Sequence, residues 1–325
     1  MRGVYTMPKV LITPRSYGMF DLGIEEKWEG AGFEIIREKG PLPEDRFIEL
    51  IKDVDALLIG TDHLNENILQ HATKLKVISK YGTGIDNIPI NYAKEKGITV
   101  RNTPAVNNEA VADYAFGLML STARHISTSA QMLKAGEWNK SVGLEVYGKT
   151  IGILGFGAIG RAVAKRAKGF QMNILVYDVF QDEQIAKEYG ITYAEFPTVL
   201  KNSDFLTVHM PLLPETENLL NFEAMRKMKQ DAILINTARG GIVNEEDLYQ
   251  ALQQGVIRGA GIDVFSVEPP TASPLFKLEN ALLTPHNAAA SEEAIKRMTT
   301  QSTDNILAYF NDLQGKGEEI NVTQI

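Results

Sequence analysis

The sequence predicts an α/β protein with two doubly wound parallel sheets, the second of which begins at a glycine-rich loop. Short apolar runs alternate with amphipathic stretches along nearly the whole chain, which is typical of βαβ units. The length of 325 residues suggests two domains, at roughly 100–200 residues per domain. A G-x-G-x-x-G pattern follows an apolar run near the middle of the chain and marks the start of the second sheet.

The first part of the chain is predicted to form one small doubly wound unit. Its apolar runs are separated by amphipathic stretches such as residues 64–73. The predicted strands cover residues 9–13, 33–36, 55–60, 76–82 and 98–102. Residues 108–135 then show helical spacing with almost no helix breaker, which predicts one long helix leading into a second domain.

The second unit is predicted to begin at residues 149–160, and the last helix, residues 291–313, is expected to return to the first unit. Its predicted strands cover residues 150–154, 173–178, 204–210, 232–236, 259–265 and 281–286. The first domain is therefore expected to be discontinuous, with residues 1–102 and 289–325, and the second to span residues 103–288.

The composition argues against several classes of protein. A net charge of −8 argues against general binding to nucleic acids or anionic membranes. No run of about 18 apolar residues is present, so no membrane-spanning helix is expected. The absence of cysteine excludes disulfides and cysteine zinc sites, and the five histidines show no metal-binding spacing. The N terminus lacks the apolar core of a secretion signal. We therefore expect a cytoplasmic protein without a metal.

The segment GILGFGAIG places Gly155, Gly157 and Gly160 between a predicted strand and a predicted helix. Gly155 allows a tight turn, Gly157 lets the backbone approach a pyrophosphate, and Gly160 lets the helix pack closely on the strand. The helix N terminus favours phosphate. The next strand ends at Asp178, whose carboxylate would accept hydrogen bonds from a ribose and repel a 2′-phosphate. Since no arginine follows Asp178 directly, NAD is favoured over NADP.

Three polar side chains lie just beyond predicted strands of this unit: Arg239, Glu268 and His286. Each alone has an ordinary explanation, as a solvated turn residue, a charged surface residue or a polar strand cap. Ligands of open α/β sheets bind outside the carboxyl ends of the strands. The joint arrangement, downstream of a dinucleotide loop, therefore favours a catalytic site.

The chemistry of these three residues is complementary. Hydride transfer between a nicotinamide and a carbinol carbon needs a proton acceptor near the hydroxyl, and histidine is suited to that task. A carboxylate such as Glu268 beside the His286 ring would favour the imidazolium and fix its tautomer. A cation such as Arg239 would hold an α-carboxylate and polarise the neighbouring carbonyl oxygen. The three residues together predict a pair of 2-hydroxy acid and 2-keto acid substrates.

Five segments carry a resemblance to a known family: GFGAIGRAVAKR, HMPLLPET, NTARGGIVNEEDL, GAGIDVFSVEPP and LLTPH. On these segments the chain resembles the D-isomer-specific 2-hydroxyacid dehydrogenases over nearly its whole length, and within them phosphoglycerate dehydrogenase. The resemblance implies a flavodoxin-like substrate domain and a Rossmann NAD domain joined by long helices. Residues 108–135 and the segment GEWNK indicate a homodimer, in which Lys140 would reach the neighbouring active site.

The resemblance also implies roles for individual residues. Arg239 would bind the substrate carboxylate, Glu268 would pair with His286, and His286 would be the acid–base group. Cofactor contacts are implied for Gly155, Gly157, Ala158, Ile159, Gly160, Asp178, His209, Pro211, Thr237, Ala238 and Asp263. Substrate contacts are implied for Tyr81, Gly82, Thr83 and Gly84, together with Arg239.

Some features leave the substrate open. Asn287 replaces the aliphatic residue usual in the family, and residues 57–69 offer no arginine for a substrate phosphate. The serine-binding regulatory domain of longer phosphoglycerate dehydrogenases has no counterpart in the sequence. The alternatives are a hydroxypyruvate or glyoxylate reductase and, in a different class, a nucleotide-sensing corepressor. Formate dehydrogenase is disfavoured because it pairs its histidine with glutamine, where this chain has Glu268.

Overall fold

The computed structural model describes residues 7–313 and shows an α/β chain. The ends of the expected first domain, residues 1–6 and 314–325, lie outside the described residues. Residues 1–6 are also part of the N-terminal stretch that lacks the apolar core of a secretion signal. The described residues form two compact units, one ending at Asn107 and resuming at Ser291, the other spanning Asn108–Ala290.

The strands are short, as expected for buried parallel sheets. In chain order they are β1 Lys9–Ile12, β2 Glu34–Arg37, β3 Ala56–Ile59, β4 Val77–Lys80, β5 Thr99–Arg101, β6 Thr150–Leu154, β7 Asn173–Tyr177, β8 Thr192–Tyr193, β9 Phe205–Val208, β10 Ile233–Asn236, β11 Gly259–Ile262 and β12 Ala281–Leu283.

Helices connect most of these strands. In chain order they are α1 Ile24–Gly30, α2 Glu44–Ile51, α3 Glu66–Gln70, α4 Ile90–Glu95, α5 Asn108–Arg124, α6 Ile126–Lys134, α7 Ala158–Gly169, α8 Glu183–Tyr189, α9 Phe196–Asn202, α10 Phe222–Met225, α11 Glu245–Gln253 and α12 Glu292–Leu313, with a 3₁₀ helix at Pro274–Lys277. Within the described residues, none of them is long and apolar enough to cross a membrane.

The first unit contains a parallel sheet of order β2-β1-β3-β4-β5. This order is that of the flavodoxin-like domain implied by the family resemblance. The central strands are apolar on both faces because helices cover both, and Leu11, Leu57 and Ile78 are fully buried. Helix α12 packs against β3 and β4, so the last described helix belongs to this unit.

The second unit contains a parallel sheet of order β12-β11-β10-β9-β6-β7-β8. The order reverses between β6 and β9, which makes a topological switch point of the Rossmann type. Helix α5 packs against α7 and against strands β10, β11 and β12. The carboxyl ends of β6, β9, β10 and β11 therefore face the same edge, where ligands bind in such sheets.

The prediction of one continuous helix over residues 108–135 was wrong. The helical region breaks at His125, whose φ of 53° lies in the left-handed region. The carbonyl of Ala123 accepts a hydrogen bond from the N–H of Leu144, 2.8 Å away, instead of continuing the helix. A Cβ on Gly143 would lie 2.4 Å from that carbonyl oxygen, so the returning chain requires glycine there. A long-range contact, absent from local periodicity, thus ends α5.

Most strands are shorter than predicted, and the largest differences at a carboxyl end lie at β11 and β12. β11 ends at Ile262 and not at residue 265, and β12 ends at Leu283 and not at residue 286. Beyond these points Asp263 and the loop after β12 bond to each other: the N–H of His286 donates to the carbonyl of Asp263 at 2.8 Å. Candidate site residues at both strand ends therefore belong to loops fixed by hydrogen bonds.

Candidate active site

The glycine loop after β6 has the close contacts that its sequence predicts. Gly155 has a φ of 94°, and a Cβ there would lie 2.7 Å from the backbone of His209 and Met210. A Cβ on Gly160 would lie 2.2 Å from the carbonyl oxygen of Gly155, so α7 could not pack this closely with any side chain there. A Cβ on Gly157 would meet no atom within 4 Å among the described residues. Gly157 thus faces open space at the mouth of the loop.

The N terminus of α7 is open to a ligand. Gly157 is its N-cap, and within the described part of the chain no side chain caps the helix start. Gly157 and Ala158 are exposed and Ile159 is half-buried. Uncapped N–H groups and the positive end of a helix dipole bind anions. The residues predicted to contact a pyrophosphate therefore surround a suitable anion site.

Asp178 stands immediately after β7 and is fixed by the backbone. Its Oδ2 accepts a hydrogen bond from the N–H of Phe156 at 2.6 Å, and its Oδ1 accepts one from the N–H of Phe180 at 2.8 Å. The carboxylate is thereby joined to the glycine loop itself. Val179 and Phe180, which follow it, are both more than 80% exposed.

Two enclosed polar atoms at the same sheet edge have no hydrogen-bond partner among the described residues: Thr237 Oγ1 and His209 Nδ1. The Nε2 of His209 is bonded to Thr207 Oγ1 at 2.8 Å. His209 as a whole is half-buried, and burial lowers its pKa to about 3, so its ring is neutral. Enclosed polar atoms normally have partners. Both residues are predicted cofactor contacts, and together with the glycine loop they fit a dinucleotide.

Arg239 follows β10 on a turn that the side chain of Asn236 shapes. Asn236 is almost fully buried; its Nδ2 donates to the carbonyl of Arg239 at 2.9 Å, and its Oδ1 accepts from the N–H of Ala238 at 3.1 Å. The Nη1 of Arg239 donates to the carbonyl of Ala238 at 2.7 Å. The half-buried guanidinium is therefore held at the carboxyl end of the sheet.

Gly240 joins the Arg239 turn to the loop that carries Glu268. A Cβ on Gly240 would lie 1.9 Å from the carbonyl carbon of Phe265 and 2.4 Å from the nitrogen of Ser266. No side chain larger than hydrogen fits between the two backbones without displacing one of them. The two loops consequently have a fixed spacing at this point.

Glu268 and His286 form a direct pair. Glu268 Oε2 and His286 Nδ1 are 2.6 Å apart, and each side chain is about 30% exposed. The second oxygen of Glu268 accepts a hydrogen bond from the N–H of Phe265 at 3.0 Å. With Nδ1 bonded to the carboxylate, the ring's Nε2 is the atom that can exchange a proton with a ligand.

Opposing effects set the ionisation of Glu268. Burial alone would raise its pKa, but the hydrogen bond and charge of His286, the N–H of Phe265 and the charge of Arg239 together lower it. The net direction is downward, so Glu268 is ionised at neutral pH. The positive charge of Arg239 thus lowers the pKa of the same carboxylate that pairs with His286.

Asp263 organises the loop that presents His286. It is fully buried, and its carboxylate accepts hydrogen bonds from the Thr284 hydroxyl at 2.6 Å and from the N–H groups of Asn287 and Ala288, each at 2.8 Å. His286 has a φ of 50°, which is unfavourable for a residue with a side chain. Burial raises the pKa of Asp263, and these hydrogen bonds oppose the rise. The bonds from Asp263 stabilise this unfavourable backbone conformation.

The predicted substrate loop of the first unit follows β4. Tyr81 is buried, and its hydroxyl lies 3.2–3.3 Å from Ser16 Oγ, Thr299 Oγ1 and the carbonyl of Ile295. The N–H of Gly82, where φ is 130°, donates to Thr103 Oγ1 at 2.9 Å. The Tyr81 side chain thus anchors the loop. Thr83 is exposed and Gly84 is half-buried.

The remaining predicted residues have clear positions within their units. Pro211 is exposed after β9, and its carbonyl accepts from Thr216 Oγ1 at 2.7 Å. Lys140 is exposed in the segment after α6. The side chain of Asn287 is exposed beside His286, while its backbone is fixed by Asp263. Among residues 7–313, no group of acidic and histidine side chains could hold a metal ion.

Sequence reasoning missed the supporting residues Asn236, Gly240 and Thr284. Asparagine commonly forms hydrogen bonds with the backbone of an adjacent turn, so Asn236 at a strand end was a usable signal. The first of the two glycines after Arg239, Gly240, was a weaker signal of close backbone approach. Nothing local pointed to Thr284, because its partner Asp263 lies 21 positions away.

Comparison with known proteins identifies the family. Residues 116–288 match the family described as D-isomer specific 2-hydroxyacid dehydrogenase, NAD binding domain. The glyoxylate reductase of Korarchaeum cryptofilum is 42% identical over 294 residues, covering 88% of this chain and 88% of that protein. The D-3-phosphoglycerate dehydrogenase of Methanocaldococcus jannaschii is 42% identical over 270 residues, covering 82% of this chain but only 51% of that protein.

A solved structure gives the same result for the fold. The NADPH-dependent glyoxylate/hydroxypyruvate reductase of Sinorhizobium meliloti, in complex with NADP and malonate, is similar with a TM-score of 0.80 and 29% identity. The similarity covers 94% of each chain. Because the family model matches residues 116–288 and the match to the Korarchaeum cryptofilum protein covers 88% of this chain, the chain belongs to the D-isomer specific 2-hydroxyacid dehydrogenases.

Proposed function

We propose that this protein reduces a small 2-keto acid with NADH, and that glyoxylate or hydroxypyruvate is its substrate. The observation that carries the proposal is the 2.6 Å contact between Glu268 and His286, with the charge of Arg239 acting on the same carboxylate. The 42% identity to a relative named glyoxylate reductase, over 88% of the chain, supports the choice of substrate.

The residues divide the chemistry between them. The hydride for the keto carbon would come from NADH held at the glycine loop. Arg239 holds the substrate carboxylate and draws electron density from the adjacent carbonyl. His286, protonated through its pairing with Glu268, donates a proton from Nε2 to the carbonyl oxygen. In the reverse direction the neutral ring accepts that proton from the hydroxyl. Glu268 remains ionised and bonds to Nδ1 of His286. The other ring nitrogen, Nε2, is therefore the one that faces the substrate.

The two units have separate tasks in this proposal. The second unit binds the dinucleotide at Gly155–Gly160, with Thr237 and His209 as polar contacts. The resemblance to the family implies that the loop after β4 in the first unit, residues 81–84, contacts the substrate. The N–H of Gly82 is bonded to Thr103, so its glycine serves the loop conformation.

A panel of 2-keto acids tests this function. We expect NADH oxidation with glyoxylate and hydroxypyruvate to give the highest kcat/KM. The relative from Methanocaldococcus jannaschii favours a second candidate, D-3-phosphoglycerate, which must be assayed in the direction of NAD reduction. A higher kcat/KM for 3-phosphoglycerate would transfer the assignment to that substrate. A lack of turnover with every compound would point to a nucleotide-sensing binding protein.

We predict a preference for NADH over NADPH of at least about tenfold in kcat/KM. A 2′-phosphate would stand beside the carboxylate of Asp178, where like charges repel. Asp178→Ala should reduce the preference by relieving that repulsion. Glu183→Ala is a matched control, because Glu183 is an exposed acidic residue that also follows β7, at the start of α8. Because the Sinorhizobium meliloti relative is NADPH-dependent, equal use of both cofactors by the wild type would reject this reading of Asp178.

We also propose a homodimer formed through α6 and the segment after it. Helix α6 has no buried residue among those described. Its apolar residues Ile126 and Leu133 are more than half exposed. Trp138 and Val142 follow, each more than 80% exposed. Large exposed apolar surfaces mark interaction sites. Sedimentation at micromolar concentration should give a dimer, and Trp138→Glu with Val142→Glu should give a monomer. A wild-type monomer would reject the dimer and the role of Lys140 in a neighbouring site.

A further inference from the structure

We propose that Glu245 is a positioning residue for the reaction: it fixes the loop that carries Glu268 and so sets the Glu268–His286 pair. This inference rests on the proposed function, since it assigns to Glu245 an effect exerted through Glu268. Glu245 is the first residue of α11, and its side chain is half-buried. It lies five residues beyond Gly240 in the chain and has no assigned role above.

Both oxygens of Glu245 bond to the Glu268 loop. Oε1 accepts hydrogen bonds from the N–H of Ser266 at 2.7 Å and from the Ser266 hydroxyl at 2.6 Å. Oε2 accepts a longer one from the Ser273 hydroxyl at 3.3 Å. The carboxylate of Glu245 therefore joins Ser266 and Ser273, which lie on either side of Glu268 in the chain. Hydrogen bonds to a charged acceptor are stronger than those between neutral groups.

The peptide between Phe265 and Ser266 is the point at which these contacts reach Glu268. The N–H of Phe265 binds Glu268 Oε1, the N–H of Ser266 binds Glu245, and Gly240 packs against the bond between the two residues. A shift of this peptide would move the anchor of the Glu268 carboxylate. Its other oxygen is bonded to His286, so the position of the imidazole partner would change as well.

A glutamate at a helix N terminus can also serve only the helix dipole. The same turn of α11 contains the exposed Glu246. Its side chain makes no hydrogen bond to another of the described residues. The two neighbours share the helix position and differ in the contact with the loop. Glu246→Gln is therefore a matched control for Glu245→Gln and Glu245→Ala.

The experiment compares these variants with Glu268→Gln and with the Glu245→Ala/Glu268→Gln double variant. We expect Glu245→Ala to lower kcat about tenfold and to shift the alkaline limb of the reduction profile toward lower pH, as Glu268→Gln does. Glu245→Gln, which keeps an acceptor for Ser266, should recover part of kcat. The dissociation constant for NADH should stay within about twofold of wild type, because the glycine loop is untouched.

The double variant decides whether Glu245 acts through Glu268. We expect it to be no more than about twofold slower than Glu268→Gln alone, because the carboxylate to be positioned is already gone. Multiplied losses in the double variant, or a lower melting temperature for Glu245→Ala with unchanged kcat and pH profile, would overturn the inference. If Glu268→Gln itself had wild-type kinetics, the proposed function would fail first, and that result is distinguishable from a failure at Glu245 alone.

Discussion

Replacing Arg239 by alanine is expected to lower kcat/KM for the 2-keto acid by about 10²–10⁴ while leaving NADH binding intact. Hydrogen bonds to a charged group contribute roughly 1.5–3 kcal/mol each, and about 1.36 kcal/mol corresponds to a tenfold change in rate. A bidentate carboxylate contact therefore accounts for a loss of this size. The glycine loop proposed to bind the cofactor follows β6, whereas Arg239 lies on a separate turn after β10.

Arg239→Lys separates charge from geometry. Lysine keeps the positive charge as a point and lacks the planar fork of arginine. We expect a higher KM and a lower kcat, because a misoriented keto group reacts more slowly. Arg258→Ala is the control, since Arg258 is paired with the exposed Asp231 at 3.0 Å at the opposite end of the same sheet. Near-wild-type turnover by Arg239→Ala would remove Arg239 from the site.

Replacing Glu268 by glutamine is expected to lower kcat for reduction by about 10² at neutral pH and by less in mildly acidic solution. The adjacent carboxylate favours the protonated imidazole that donates the proton. Glutamine retains the shape of Glu268 but removes the negative charge that favours a proton on the imidazole. The alkaline limb of the pH–rate profile should therefore move to lower pH. Exposed Glu279→Gln is the control, and an unshifted profile in folded Glu268→Gln would exclude this role.

The same pair makes a prediction for stability. The pKa of Glu268 is lowered in the folded protein from its ordinary value of 4.5, so its carboxylate stabilises the fold above that pH. The contribution is lost as the pH falls through the lower, folded-state pKa. The difference in unfolding free energy between wild type and Glu268→Gln should consequently shrink in acid. Urea unfolding at neutral pH and in acid, with Glu279→Gln alongside, measures that difference.

Periodicity located most of the framework. Alternation of apolar and amphipathic stretches predicted both parallel sheets, because a strand covered on both faces must be apolar along its length. It overestimated the ends of β11 and β12 and missed the break at His125. In each case the apolar pattern continues beyond the observed end of the helix or strand, because a contact with a distant residue ends it. At the end of α5, for example, the N–H of Leu144 bonds to the carbonyl of Ala123. Sequence periodicity indicates which residues are buried, but it does not identify hydrogen-bond partners that are distant in the chain.

The two-unit α/β fold, the glycine loop and the placement of Arg239, Glu268 and His286 at strand ends could be predicted from residue type and order, since parallel strands direct their carboxyl ends to one edge. Which atoms meet at that edge depends on the tertiary structure: Glu268 Oε2 contacts His286 Nδ1, Asp263 bonds to the loop of His286, and Glu245 bonds to the loop of Glu268. Loop side chains take their directions from hydrogen bonds to residues distant in the chain, such as the bond from Ala288 to Asp263 across 25 positions, and the local sequence does not encode these partners.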